Sequence, residues 1–454
     1  MNMVNAMLFK VQKGLDALKS KKAVDSLWSL AGFILPTLAG IVFIPLIIRS
    51  MGVEIFGVLS IIWMLIGYFT LFDLGISRAL TFLLSRNIGA GMQEENSYVY
   101  STAMPIVVAT GVAGGGIFYA ISGWLVERVF NVSPGNVESV KEAFYWTALA
   151  IPFAVWGTVI RSCLESYLKF KIINIIKIPV NIWFIVGPYV AYLLGGGICL
   201  GVILLVVARL VMLICYYVAL RKYIVFSYTF FDKRRLKEIF LFGGWMTISN
   251  VVSPIMVYFD RFLIGGYLSV ELVGYYSAPY EVVTKMLVVA VAMASVFFPN
   301  ISNALAKGNR IEAEDTIRKF TLIIAALVGV GALTCIVGGQ FGLSWWLGKN
   351  FEDKGYWVVF WISLGVFFNS IAQIPFCTIQ AMGLSKVTAI IHMLEIPIYL
   401  AFLLVAVIFF KSISMVAFIW FVRVTADFFI LTLFSRKHIN SYNWNLVENT
   451  QLEG

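Results

Sequence analysis

The chain has 454 residues, of which 60% are hydrophobic and only 13% charged, and its formal net charge is +10. Ordinary soluble domains are about half apolar and about a quarter charged. This composition, with a mean hydropathy of +0.89, excludes a soluble protein and points to a polytopic, all-α membrane protein.

Residues 1–26 carry Lys10, Lys13, Lys19, Lys21 and Lys22. They read as an amphipathic helix on the cytoplasmic membrane surface, or as a plain basic tail that fixes topology. The apolar run behind them is too long for a signal peptide and has no A-x-A site. A membrane span takes about 20 apolar residues, and twelve candidates follow. They fall at 27–48, 55–72, 99–122, 143–164, 173–194, 198–220, 239–259, 274–298, 320–339, 356–381, 387–410 and 414–434. The chain then divides into a first six-helix half (27–222), a basic cytoplasmic linker (223–238), a second six-helix half (239–434) and a cytoplasmic tail (435–454). With the N-terminus inside, the inner segments hold 23 of the 34 Lys and Arg, the outer connections six, and the spans five. That bias places both termini in the cytoplasm.

A shift of 217 residues lays MGVEIFGVLS over LSVELVGYYS, with Val53, Glu54, Gly57 and Ser60 on Val270, Glu271, Gly274 and Ser277. Trp28 falls on Trp245 at the same offset. Six spans per half make this a parallel repeat about an axis along the membrane normal, an arrangement known in secondary transporters. A substrate path between the halves is the corresponding expectation.

The five basic residues inside spans are Arg161, Arg209, Arg261, Lys285 and Arg423. Each costs about 2.5–3.5 kcal/mol at a helix centre on insertion scales, so none is expected to face lipid. Asp73, Glu165, Asp260, Glu281, Glu395 and Asp427 are the matching carboxylates. Arg161 with Glu165, Glu281 with Lys285, and Arg423 with Asp427 stand four apart, on one helix face. The first pair reads as structural. Arg209 has no acidic residue on its own helix: it either pairs with a neighbouring helix or faces a watery cavity and meets an anion. His392, three residues before Glu395, suits either a proton relay or a packed hydrogen-bonded pair. Proline interrupts several spans, Pro36, Pro45 and Pro397 among them, and reads first as tolerated kinking. The five cysteines show no metal spacing, so neither a disulfide framework nor a zinc site is expected. The sequence lacks a phosphate-binding loop of the G-x-x-x-x-G-K-[ST] type, a soluble catalytic domain, and any nucleophile with its base. The expected protein is therefore no enzyme and takes no cofactor.

FIPLIIRSMGVEIFGVLSI followed by FDLGISRALTFLLSR resembles the N-terminal signature of polysaccharide flippases in the multidrug/oligosaccharidyl-lipid/polysaccharide exporter superfamily. The matching positions are Arg49, Gly52, Glu54, Phe56 and Gly57, then Asp73, Gly75 and Arg86. In the second half, Asp260, Arg261, Gly274 and Tyr275 of YFDRFLIGGYLSVELVGYYSAPYEV are similar to the family's Asp-Arg pair and Gly-Tyr turn. The resemblance implies flipping of an undecaprenyl-pyrophosphate-linked oligosaccharide, such as an O-antigen unit, from the cytoplasmic to the periplasmic leaflet of the inner membrane. The two halves would rock around a cationic cavity. Arg209, Lys285 and Arg423 are then the headgroup contacts, with Arg49, Arg78 and Arg261 near the cavity mouths, and Glu281, Glu395 and Asp427 the ion-coupling candidates. Partners implied are the lipid-linked oligosaccharide, membrane lipid, a polysaccharide polymerase and a chain-length regulator, and no nucleic acid. A cation-coupled multidrug antiporter of the same superfamily would call for an acidic or aromatic cavity, which Arg209 disfavours. A polymerase or ligase of lipid-linked sugars would carry a large periplasmic loop, and a lipid II flippase two further spans.

Overall fold

The computed structural model describes residues 21–69, 73–227, 231–232, 235–236, 239, 256 and 258–442. The basic segment up to residue 20, most of the expected seventh span, parts of the linker, Trp245 of the repeat and the tail from 443 lie outside the described residues. Among the described residues there are helices and no strands. In chain order these are α1 (Lys21–Met51), α2 (Val53–Phe69), α3 (Ile76–Gly89), α4 (Glu95–Trp124), α5 (Val137–Ser166), α6 (Phe170–Leu193) and α7 (Gly197–Leu220). Then come α8 (Val270–Val283), α9 (Leu287–Ala306), α10 (Arg310–Leu347), α11 (Lys349–Ala381), α12 (Ser385–Val405) and α13 (Ile413–Asn440).

Among the described residues ten segments are long and apolar enough to cross a membrane, and α2, with 17 residues, is a shorter apolar helix. The 24-residue α6 spans about 36 Å at 1.5 Å per residue, more than the ~30 Å hydrocarbon core. With the expected seventh span, this is the all-α, roughly twelve-span architecture read from the sequence.

One helix was not foreseen. The stretch after the second span reads as a plain inner connection, yet Ile76–Gly89 is helical, with Ile76, Ala79, Leu80, Leu83 and Leu84 buried and Arg78 and Arg86 exposed. That is the apolar stripe of an amphipathic helix, too short to register as a span. Gly75 starts it with φ 71°, and its amide donates to Asp73 Oδ1 at 2.9 Å. Asp73 and Gly75 therefore serve a turn that demands a left-handed residue.

The chain forms two compact units, one of Met1–Met51, Ile62–Arg128 and Ser133–Val251, the other of Gly52–Ile61, Val129–Val132 and Val252–Gly454. In the first, α5 packs against α3, α4 and α7, while α6 lies against α1 and α7. In the second, α11 packs against α8, α9, α10 and α13. These two helices, the fourth span of each half, are the most buried of the spans. The second unit also holds the repeated turn. A Cβ on Gly57 would overlap the carbonyl oxygen of Val270, and one on Gly274 would overlap that of Val53. Residues equivalent in the repeat thus meet reciprocally, at a backbone distance only glycine permits.

Candidate functional site

The intramembrane charges fall into three clusters, two in the second unit and one in the first. In the second unit, Asp260 and Arg261 lie within a helical stretch that runs on to Leu268, just ahead of α8. Asp260 accepts from the Tyr276 hydroxyl at 2.6 Å and from the Arg261 backbone amide at 2.7 Å. The Arg261 side chain is 2% exposed, and its Nη2 lies 3.2 Å from Glu281 Oε1. Its guanidinium rests 4.4 Å from the Tyr280 ring centroid and 5.6 Å from that of Tyr258. Glu281 Oε2 in turn meets Lys285 Nζ at 3.1 Å, the pair expected from the i,i+4 spacing. Such a chain is costly to interrupt, because an ion buried without its partner loses several kcal/mol of compensation. Lys285 is exposed, whereas Arg261 has no open face toward solvent in this structure.

The second cluster lines a cavity of about 190 Å³ between α11, α12 and α13, with Asn369, Gln373, His392, Glu395, Arg423 and Asp427 as its polar walls. Here the structure corrects one expectation. Arg423 and Asp427 form no ion pair despite their i,i+4 spacing. Arg423 Nη1 is turned to Met256 Sδ at 2.9 Å and its guanidinium sits 5.2 Å from the Tyr399 ring. Asp427 instead faces His392 across the α12–α13 contact, with Oδ1 3.4 Å from Nε2. A neighbouring helix offers each side chain a nearer partner than its own helix does, and an i,i+4 pair is worth only about 0.2–0.5 kcal/mol. The His392 ring stacks on Phe376, with centroids 5.8 Å apart and planes at 11°.

In the first unit, Arg161 Nη1 contacts Glu165 Oε1 at 2.7 Å, the structural pair expected. Arg209, near the middle of α7, has no carboxylate within ion-pair distance among the described residues. Its guanidinium packs 4.3 Å from the Phe184 ring of α6, and its Nε is buried without a hydrogen bond. Of the two readings open in the sequence, the one with a carboxylate partner for Arg209 is not found among the described residues. Lys177 of α6 lies within electrostatic reach of Arg161, Glu165 and Arg209. Three cations and one carboxylate thus share the α5–α6–α7 packing. Lys177 falls inside the expected span 173–194 and inside α6 (Phe170–Leu193), and so adds a further cation to those expected within spans. Arg49 and Arg78 are exposed, in the last turn of α1 and the first of α3.

The structure therefore joins Arg261, Glu281 and Lys285, and separately Glu395, Arg423 and Asp427 with His392, and groups Arg209 with Lys177 and Arg161. The tyrosines that frame the second unit's cations (Tyr258, Tyr276, Tyr280 and Tyr399) carry no sequence signal beyond their frequency in membrane proteins.

A family model described as "Polysaccharide biosynthesis protein" matches residues 23–305. The "Putative O-antigen transporter" of Shigella flexneri is 32% identical over 411 residues, covering 90% of this chain and 96% of that protein. The "Uncharacterized membrane protein EpsK" of Bacillus subtilis (strain 168) is 22% identical over 392 residues, covering 81% of this chain and 73% of that one. Among solved structures, an inward-facing multidrug resistance MATE family transporter of the MOP superfamily superposes with a TM-score of 0.70. It is 13% identical and covers 92% of this chain and 95% of its own. At that identity the likeness concerns the fold.

Proposed function

Because the chain belongs to the polysaccharide biosynthesis protein family, and folds as the MOP-superfamily transporters do, we propose that this transporter is a flippase for lipid-linked oligosaccharide. The substrate is an undecaprenyl-pyrophosphate-linked repeat unit, such as an O-antigen unit, carried from the cytoplasmic to the periplasmic leaflet of the inner membrane by alternating access. The observation that carries this reading is Arg209: a cation at mid-span, without a carboxylate partner among the described residues, within electrostatic reach of Lys177 and Arg161. A guanidinium held in that way is costly in hydrocarbon and gains two charge-assisted hydrogen bonds when a phosphate reaches it. The name of the Shigella flexneri relative supports the choice of substrate class.

Within this reading Arg209 with Lys177 in the first unit, and Lys285 and Arg423 in the second, are each candidates for contact with the diphosphate. Arg49 and Arg78 attract it at the surface. Arg261, enclosed by Glu281 and Tyr280, acts by holding Glu281 in place. Glu281, Glu395 and Asp427 couple transport to an ion, and both termini face the cytoplasm. A polymerase and a chain-length regulator consume the flipped unit.

The test is complementation of a strain lacking the protein, reading surface polysaccharide while following membrane abundance. Wild type restores long chains, and Arg209→Ala at equal abundance does not. Failure of the wild type to restore surface polysaccharide would overturn the substrate assignment.

A further inference from the structure

We infer that His392, Glu395 and Asp427 form a binding site for a divalent transition-metal ion, with Zn²⁺ as its model occupant. The sequence alone expects no metal site, since these residues lie on two helices 32 positions apart. The fold brings one imidazole nitrogen and two carboxylate oxygens within 4.8 Å of one another. They open into the 190 Å³ cavity behind α12 and α13.

Three observations separate this cluster from an ordinary hydrogen-bonded one. First, His392 Nε2 and Asp427 Oδ1 stand 3.4 Å apart. That is longer than the usual 2.7–3.2 Å of an N–H···O bond, and matches one edge of a tetrahedral site with metal–ligand bonds of about 2.1 Å; a side-chain rotation of Glu395 closes the remaining separation, which is within 4.8 Å. Second, Glu395 Oε1 is buried without a hydrogen-bond partner, and Asp427 Oδ1 has only the long contact to His392. A carboxylate oxygen left so poorly partnered in a cavity is a cost that a cation removes. Third, the His392 ring is fixed by its stacking on Phe376, so its Nε2 points at Asp427 without needing to be ordered on binding.

The donor set chooses the ion class. One imidazole with two carboxylates suits zinc and its first-row neighbours, whereas calcium and magnesium take oxygen alone. Three protein ligands leave the fourth position to water, as in open zinc sites. Arg423, on the cavity wall, is engaged by Met256 and Tyr399 and does not occupy the ligand position. Its charge offsets part of the two carboxylates when the site is empty and limits affinity when it is filled. The inference rests on the proposed function at one point only: Glu395 and Asp427 are there the ion-coupling carboxylates, so an occupied site blocks transport.

The experiment uses the full chain, purified in detergent through a histidine-free tag, stripped with chelator and titrated with ZnCl₂ by calorimetry. One equivalent is expected to bind, with X-ray absorption showing nitrogen and oxygen neighbours at about 2.0–2.2 Å, one imidazole and no sulfur. His392→Gln and Asp427→Asn are each expected to weaken binding by about 100-fold or more, the upper end of what loss of an outer partner alone costs. His438→Ala, which removes the other histidine of the chain, leaves it unchanged. Absence of stoichiometric binding by the wild type, or sulfur in its coordination shell, overturns the inference. The absorption spectrum needs no variant, so a poorly folding substitution does not obscure the answer. Both readouts are independent of substrate, so they fail or hold separately from the complementation test of flipping.

Discussion

Gly57 and Gly274 occupy the same place in the repeat and press against each other's turn: the amide nitrogen of Gly274 lies 3.1 Å from where a Gly57 Cβ would sit. The reciprocal contacts, Gly57 with Val270 and Gly274 with Val53, make this a local two-fold joint of backbone against backbone. Helices approach that closely only where side chains vanish, and weak Cα–H···O contacts then add to dispersion.

Gly57→Leu and Gly274→Leu should each reduce folded protein in the membrane, because the clash is with carbonyl groups that cannot rotate away. Overpacking typically costs about 1–3 kcal/mol, and alanine at either site should give an intermediate loss. Fluorescence-detected size exclusion of detergent extracts reads the result. Wild-type amounts of monodisperse Gly57→Leu protein would contradict the packing.

Removing Glu281 takes away the carboxylate in contact with the Arg261 guanidinium and leaves Asp260 as its neighbouring anion. Breaking a fully buried pair costs about 3–5 kcal/mol; with the Glu281 side chain 34% exposed, we expect Glu281→Gln to cost less than that, yet enough to lower the thermal midpoint of the purified protein. Arg261→Met combined with Glu281→Gln should recover part of the loss, since it removes the charge that has lost that contact. A double variant worse than the single would show that Asp260 is the more important anion partner of Arg261.

Asp427 should couple more strongly to His392 than to Arg423. In double-mutant cycles on thermal stability, His392 and Asp427 should show an interaction above about 0.5 kcal/mol, larger than that of Arg423 and Asp427, which line the same cavity without an ion pair. The reverse pattern would restore the same-helix pair that the i,i+4 spacing alone suggests.

At Arg209 the bidentate guanidinium should matter as well as the charge. Arg209→Lys is expected to restore surface polysaccharide only partly, and Lys177→Gln to weaken it at unchanged abundance. Full activity of both variants would place the α5–α6–α7 cluster outside the transport path.

Composition and hydropathy made the all-helical membrane architecture legible, because about 20 apolar residues in a row have no other stable solution in a bilayer. The pairs Arg161–Glu165 and Glu281–Lys285 were legible for a similar reason: both partners lie on one helix, whose geometry is known in advance. The partners of Arg209, Arg423 and Asp427 were not. Each is engaged by a residue on another helix or an adjacent segment (Phe184, Met256 and Tyr399, His392), and only the packing of the units decided which faces meet. The helix at Ile76–Gly89 escaped notice because it is amphipathic and shorter than a span. The approach of Gly57 to Val270 shows both levels at once. The 217-residue offset marks the glycines as equivalent, and the tertiary structure alone reveals that equivalent residues touch.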